Sequence, residues 1–362
     1  MTHEHHYAVV VGINAYPDEE VEELHSPVSD AKRFAQWLLD PDGGGLPQAN
    51  LETIYSDEVT AKGTERRNAK PTKTQIHEAL YEFAERCKEH WKHNPQDWKD
   101  TRLYVYVSGH GIAPTPSEAA LLMANAGPDW YGENFPCGSF LEFYQSAQYF
   151  KELVFFADCC RHWVDDAPLA GPTWTKVKGN NGKVLALAGY ATYFGDPAYE
   201  PTEDELEPGD ERRSFFTKAL IEGLEGKAAN PTTHRIDSRS LATYVKARVL
   251  KLTDQKRSPQ EPQFPGDLAE PIVFRDDIEP TEISEAKTQT VTIQMVTPFT
   301  DEVVLVTGTL REMERHHPAP VPWIVELKDG LYKVKPSDPT VPNPFKNGGF
   351  IEVVGADLNV EL

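Results

Sequence analysis

A chain of 362 residues with 39% hydrophobic and 10% aromatic side chains can bury a large core and suits one large domain plus a small one. Its formal net charge of −21 and isoelectric point near 5.0 exclude nucleic acid and anionic membrane as main partners, since both would be repelled, and suit a basic peptide or protein. No apolar run approaches the roughly 18 residues of a membrane span, and the start MTHEHHYAVV lacks the features of a secretory signal, so a cytoplasmic location is expected.

The first element is YAVVVGINAY, a continuous β-branched run that reads as a buried parallel strand. In SPVSDAKRFAQWLLD, Ala31, Phe34, Ala35, Leu38 and Leu39 recur at helical spacing, with Ser29 or Asp30 as the expected cap and GGGLP as the stop. LETIYSD is a short strand, Asp57–Pro71 a polar loop carrying Arg66, Arg67 and Lys70, and Thr72–Trp91 a long amphipathic helix with Ile76, Leu80, Phe83 and Ala84 on one face. RLYVYVSGHG is strand-like up to Val107 and breaks at Ser108-Gly109-His110-Gly111. Ser139–Gln148 reads as a short helix, ELVFFADCC and KVLALAGYA as buried strands, Phe215–Leu224 and Arg239–Leu250 as helices, and EPIVF as a closing strand. Alternating strands and helices predict an α/β fold with a mostly parallel sheet flanked by helices. The acidic run Asp196–Glu211 reads as a solvated, mobile loop.

After Phe274 the texture changes. RDDIEPTEISEAKTQ is acidic and linker-like, and VTIQMV, EVVLVTG, WIVELKDGLYKV, GGFIEVVG and LNVEL follow as short strands broken by Pro and Gly. The expected organisation is a first domain over 1–275, a linker over 276–289 and a small all-β, sandwich-like domain over 290–362.

Two strand ends carry chemistry. VYVSGHG delivers His110 between glycines, and VFFADCC delivers Cys159 and Cys160. In an open parallel sheet, ligands bind beyond the carboxyl ends of the strands. A thiolate is a nucleophile, and a nearby imidazole can generate it and then protonate a leaving amine. The separation, 160 − 110 = 50 residues, leaves room for a crossover that makes the two ends neighbours. Backbone N–H groups around Gly109–Gly111 and at the cysteine turn are candidates for an oxyanion hole. The alternative is a rim histidine and a cysteine used as a small hydrophobe. A metal site is not expected: adjacent cysteines do not readily point at one tetrahedral ion, and there is no C-x-x-C. The four cysteines, with Cys87 and Cys137 isolated, form no disulfide framework.

SGHG at one strand end and ADCCR at the next together resemble the caspase-fold cysteine peptidases, and more closely the metacaspase and bacterial branch of that group, peptidase family C14. The histidine about 50 residues ahead of the cysteine is itself a known feature of caspases. VVVGINAY is similar to the family's first strand, LHSPVSDA to its L-x-G-x-x-x-D-A segment, and RRSFFTKALIEGLEG to its G-x-F-T-x-A-L helix, so the likeness runs from Tyr7 to Phe274. It implies a caspase-like fold and a cysteine endopeptidase with a His110–Cys160 dyad. Asp158-Cys159-Cys160 falls on the family's Asp-x-Cys, which makes Cys160 the nucleophile and Cys159 the interchangeable middle residue. Strand alternation agrees, because only one of two neighbours can face the cleft with Asp158.

The resemblance further implies Gly111 and Cys160 as oxyanion-hole donors, and Asp30, Ser108 and Asp158 as a pocket for the P1 side chain. Two carboxylates there would take Arg or Lys and reject Asp. Helix and turn capping are the other readings of Asp30 and Asp158. The chain departs from the family's Cys-His-Ser-Gly with Cys160-Arg161-His162-Trp163, which keeps an inactive caspase-fold scaffold or binding protein as the alternative. No cofactor is needed for the chemistry. Some metacaspases require calcium, and Asp165 and Asp166 are the carboxylates nearest that pattern. Family members are often held inactive until a loop is cut or a partner binds. Lys176 and Lys178, in Ala167–Gly182, are the candidate self-cleavage positions, with Arg66, Arg67 and Lys70 as a second loop, and the C-terminal β-module is a candidate dock for an activating partner. A regulatory, defence or cell-death setting is the family's expectation.

Overall fold

A computed structural model of the chain describes residues 3–56, 63–174, 179–180, 182–206, 212–230, 233–265, 270–276, 278, 289–295, 299, 301–307, 312–317, 322–327, 330–353 and 357–362. Lys176 and Lys178 lie outside the described residues. The chain packs as two compact units, residues 1–221 with 260–272, and residues 222–259 with 273–362.

The first unit comprises β1 (His6–Gly12), α1 (Pro27–Leu39), β2 (Leu51–Tyr55), α2 (Lys73–His93), β3 (Arg102–Gly109), β4 (Gly111–Ala113), β5 (Ala120–Leu122), β6 (Asn134–Pro136), α3 (Cys137–Ala147), β7 (Glu152–Cys159), β8 (His162–Trp163), β9 (Leu185–Tyr190) and α4 (Phe215–Glu222). Strands β2-β1-β3-β7-β9, in that order, form a parallel sheet. Every residue of β1 and β3 is buried, the reason these strands read as unbroken apolar runs rather than alternating ones.

Alternation instead sorts residues between the two covered faces. Val9, Val105 and Phe155 join Ile76, Leu80 and Phe83 of α2 and Phe140 and Tyr144 of α3 in one core. Tyr104, Tyr106 and Phe156 meet the ring of Phe34 of α1 on the opposite face. Odd-numbered residues of β3 and β7 therefore look toward α2 and α3, and even-numbered ones toward α1.

Local signals explain most element ends. Thr72 and Gln75 form a capping box at the start of α2. At α1 the cap is Ser26, not Ser29 or Asp30, because Pro27 opens the helix one turn earlier than the apolar spacing implies. Strand β3 runs two residues beyond Val107, since Ser108 and Gly109 still pair with Asp158 and Cys159; the break comes at His110. A second sheet, β6-β5-β4-β8, grows from that break.

The second unit holds β10 (Ile236–Asp237), α5 (Ser238–Leu252), β11 (Val273–Arg275), β12 (Gln289–Gln294), β13 (Val303–Thr307), β14 (Glu312–His316), β15 (Trp323–Leu327), β16 (Gly330–Pro336), β17 (Phe350–Val353) and β18 (Leu358–Glu361). The expected closing strand EPIVF becomes β11, which pairs antiparallel with β10 and stays out of the parallel sheet. The C-terminal strands form two sheets, β15-β12-β18 and β14-β13-β16-β17, around one core that includes Val291, Ile293, Leu305, Val325 and Val334. WIVELKDGLYKV divides at Gly330 into strands of different sheets. β14 is a strand that apolar patterning misses, because its EMERH is a charged, solvent-facing edge.

Candidate active site

The two chemistry-bearing turns are brought together by register. β3 and β7 pair in parallel with Gly109 opposite Cys159, and β4 and β8 pair in parallel with Ile112 opposite His162 and Ala113 opposite Trp163. The offset is 50 on both sides (159 − 109, 162 − 112), so His110 and Cys160, also 50 apart, occupy matching places in the gap between the two ladders. Gly111 seals that gap: a Cβ on it would stand 2.5 Å from Cys159 Sγ and 2.5 Å from the Cys160 carbonyl oxygen. Gly109, at φ +156°, lies so close to the Tyr16 hydroxyl that a Cβ would sit 2.8 Å from it.

Each side chain has a fixed setting. Tyr16 accepts the His110 backbone N–H at 3.0 Å and donates to the Leu122 carbonyl at 3.2 Å. His110 Nε2 stands 2.8 Å from the Glu22 carbonyl oxygen. A carbonyl only accepts, so Nε2 carries the proton and Nδ1 is the basic nitrogen of the neutral ring. Burial holds His110 below its ordinary pKa, reinforced by the charge of His162 and opposed by the Glu22 carbonyl.

The two cysteines face opposite ways. Cys159 is packed in the α2/α3 core, where burial pushes its thiol far up. Cys160 is half-buried, and its sulfur is bracketed by the backbone of Ala198: Sγ lies 3.7 Å from the Ala198 oxygen and accepts the Ala198 N–H at 3.3 Å. Burial raises the Cys160 thiol while that N–H draws it back down.

The three expected pocket positions also converge. Asp30 is fully buried and Asp158 nearly so. Asp158 Oδ2 accepts the Ser214 hydroxyl and, at 2.5 Å, the Thr217 hydroxyl. Ser214 N–H reaches the Asp30 carboxylate at 3.1 Å. The Thr217 hydroxyl also meets that of Tyr106 at 2.5 Å, and Ser108 reaches Tyr106 as well. Neither carboxylate caps its own helix or turn. Burial pushes Asp158 up to about 6, against the pull of the Ser214 and Thr217 hydroxyls. Asp30 is raised by burial and by the neighbouring Asp158 charge, while Ser214 and the Arg213 cation draw it down.

Several partners here carry no sequence motif. Ser214 is legible as the cap of α4, and Thr217 N–H does bond its oxygen at 3.0 Å. Its reach to Asp158, 56 residues away in the chain, is tertiary. The acidic segment expected to be a mobile solvated loop is tied to the rest of the fold at Asp196–Glu200. The Asp196 carbonyl accepts the Arg161 N–H, Tyr199 N–H bonds Gln260 at 2.8 Å, and the Glu200 carboxylate takes the backbone N–H groups of His25 and Ser26. Arg161, the departure from the family pattern, is buried and donates to the carbonyls of Glu118, Thr192 and Pro116 while lying 4.7 Å over the Tyr190 ring. It organises the turn after Cys160. Asp165 and Asp166 are exposed, and neither belongs to a cluster of three His, Cys, Asp or Glu side chains among the described residues.

Comparison with known proteins meets this geometry from outside. The profile described as caspase domain, of peptidase family C14, matches residues 5–271. The chain belongs to the caspase-domain peptidase family. A curated relative named as a probable protease, from a Desulfuromonadales bacterium, is 26% identical over 280 residues, covering 74% of this chain; the match spans 32% of the relative's own length. Among solved structures, caspase-1 from Spodoptera frugiperda aligns with a TM-score of 0.47 at 17% identity, over 77% of this chain and 93% of that one. The structure titled pro-sf-caspase-1 aligns at 0.42 and 14%, over 74% and 88%. The mostly parallel sheet flanked by helices is the family's fold, and the C-terminal region carries further sheets, antiparallel but for the parallel β12/β18 pair. No described helix is long and apolar enough to cross a membrane.

Proposed function

We propose that this chain is a cysteine endopeptidase that cleaves protein substrates after Arg or Lys with a His110–Cys160 dyad. The observation that supports it is the common offset of the β3/β7 and β4/β8 ladders, in which His110 and Cys160 follow paired strand ends at matching positions. His110 Nδ1 takes the Cys160 thiol proton, and Sγ attacks the scissile carbonyl carbon. Gly111 and Cys160 N–H groups receive the oxyanion. The C–N bond then breaks as the same proton passes to the leaving amine, and water hydrolyses the acyl-enzyme. No cofactor enters these steps.

The pocket supports the basic preference. Asp30 and Asp158 share one buried site with Ser108, and the charge of Arg213 already acts on Asp30. A guanidinium or ammonium entering there meets two carboxylates that burial keeps poorly solvated, whereas an Asp side chain meets like charge. The bracket of Ala198 on Cys160 and the raised thiol support the reading of a resting enzyme whose nucleophile is freed when the segment around Ala198 moves. That supports latency rather than the inactive-scaffold reading, and it fits activation by a partner or by self-cleavage at Lys176 or Lys178 in a regulatory or defence setting.

Hydrolysis of paired fluorogenic peptides with Arg or Asp at P1, run with wild type, Cys160→Ala and Cys159→Ala, tests this. Cleavage after Arg alone that is lost in Cys160→Ala and kept in Cys159→Ala is the expected result. Cleavage after Asp overturns the pocket assignment. Failure of an electrophilic thiol probe to label Cys160 in any condition overturns the peptidase reading.

A further inference from the structure

Trp163 is a large apolar side chain left in solvent beside the dyad. It is 63% exposed, and the residue before it is exposed too. It belongs to β8, which starts two residues after Cys160 and, among the described residues, pairs with β4 alone, as the edge strand of β6-β5-β4-β8. Strand β4 in turn starts one residue after His110. The P1 pocket lies on the other side of the dyad: Ser108 and Asp158 each stand two residues before the dyad residues, Ile112 and His162 two residues after them.

With a substrate's P1 side chain at Asp30 and Asp158 and its scissile carbonyl at Cys160, β4 and β8, which begin one and two residues after His110 and Cys160, are the strands next to the cleaved bond on the side away from the pocket. We propose that Trp163 is the platform of a primed-side subsite, which takes an apolar and preferably aromatic side chain in the first two residues after the scissile bond. This rests on the peptidase reading above. An exposed indole offers a flat face for stacking, and β8, an edge strand among the described residues, offers its outer side to the substrate backbone. The free energy of covering Trp163 is gained only by substrates that extend past the cleaved bond. Selectivity set there is therefore separable from selectivity set in the acidic pocket.

The test compares two substrates with the same Arg at P1. One ends in a fluorogenic amide leaving group and has no primed residues; the other is an internally quenched peptide with Phe at the second primed position. The expected result is that Trp163→Ala lowers the ratio of kcat/KM on the extended to the truncated substrate by roughly tenfold, with Gly in place of Phe abolishing the difference. Trp163→Phe restores most of the ratio. An identical ratio in wild type and Trp163→Ala overturns the subsite while leaving the peptidase intact. An unchanged ratio together with a shift of Trp163→Ala from dimer to monomer in sedimentation overturns it in favour of a self-association surface. No turnover of either substrate, with no thiol-probe labelling of Cys160, overturns the peptidase reading and this inference with it.

Discussion

The ends of β3 and β7 and the C-terminal sandwich are both made of buried strands, yet they bury different things. The sandwich encloses Val291, Ile293, Val303, Leu305, Val325 and Val334, with Gln289 its one buried polar side chain among the described residues. The ends of β3 and β7 instead bury Asp30, Ser108, Asp158 and Thr217, and leave His110 and Cys160 half-covered beside them. An apolar core gains free energy from each buried side chain, whereas a buried carboxyl keeps its proton or needs a partner. Two buried carboxyls that share Ser214 as a partner are therefore the costlier arrangement of the two, and the one that a binding site for a cation would explain.

The largest effect expected from that contrast is at the nucleophile. Cys160→Ala should lower kcat by about 10⁵-fold or more, read on a P1-Arg peptide. Cys159→Ala, one residue away but packed in the α2/α3 core, should keep the activity and lose only stability, on the order of 1 kcal/mol. Equal activity loss in both variants would break the assignment of opposite faces.

The acidic pocket comes next. Asp158→Asn should reduce kcat/KM on P1-Arg substrates by about 100-fold, with a smaller change in thermal stability. The pH dependence has a definite direction. Folding raises the pKa of Asp158, so its contribution to stability is full below the unfolded value of 3.8 and is lost as pH rises through about 6. Binding of a basic P1 residue needs the ionised form, so KM should fall as pH rises through that same window. Wild type titrated from about pH 4 to 8 should show opposite slopes in Tm and in 1/KM, and Asp158→Asn should flatten both.

How much of this was legible in the sequence depends on distance along the chain. The parallel strands and the two strand ends are local patterns, apolar runs stopped by SGHG and ADCC, and they read directly. The choice of Cys160 over Cys159 was legible through the resemblance to Asp-x-Cys, with which strand alternation agrees. The convergence of Asp30 with Asp158 was legible only through resemblance, since 128 residues separate them (158 − 30). Ser214 and Glu200 were not legible in their roles. One looks like an ordinary helix cap and the other like one more charge in an acidic run, and only the folded chain brings them to Asp158 and to the start of α1.

The sandwich supplies the third test. Val325→Ala should cost about 2 kcal/mol in urea unfolding, because Val325 sits inside the β15-β12-β18 face of the core. Its neighbour Ile324 is 63% exposed, and Ile324→Ala should stay within about 0.5 kcal/mol. Similar losses in the two variants would contradict the alternation that separates this region from the doubly buried parallel sheet.

The smallest effect concerns the segment that covers Cys160. Glu200 holds it down through two backbone N–H groups, those of His25 and Ser26, the latter at 2.8 Å. Hydrogen bonds to a charged group contribute about 1.5–3 kcal/mol each when buried, and less where water competes, as it does at His25. Glu200→Ala should therefore loosen the segment without unfolding the sheet beneath it. Opening exposes Sγ to solvent and removes the Ala198 bracket, so labelling of Cys160 by a small thiol reagent should quicken by about tenfold, while Cys159, Cys87 and Cys137 stay unlabelled in their buried positions. An unchanged labelling rate would mean that Ala198 and Gln260 hold the segment by themselves, and that the carboxylate contributes its charge near Asp158 rather than a latch.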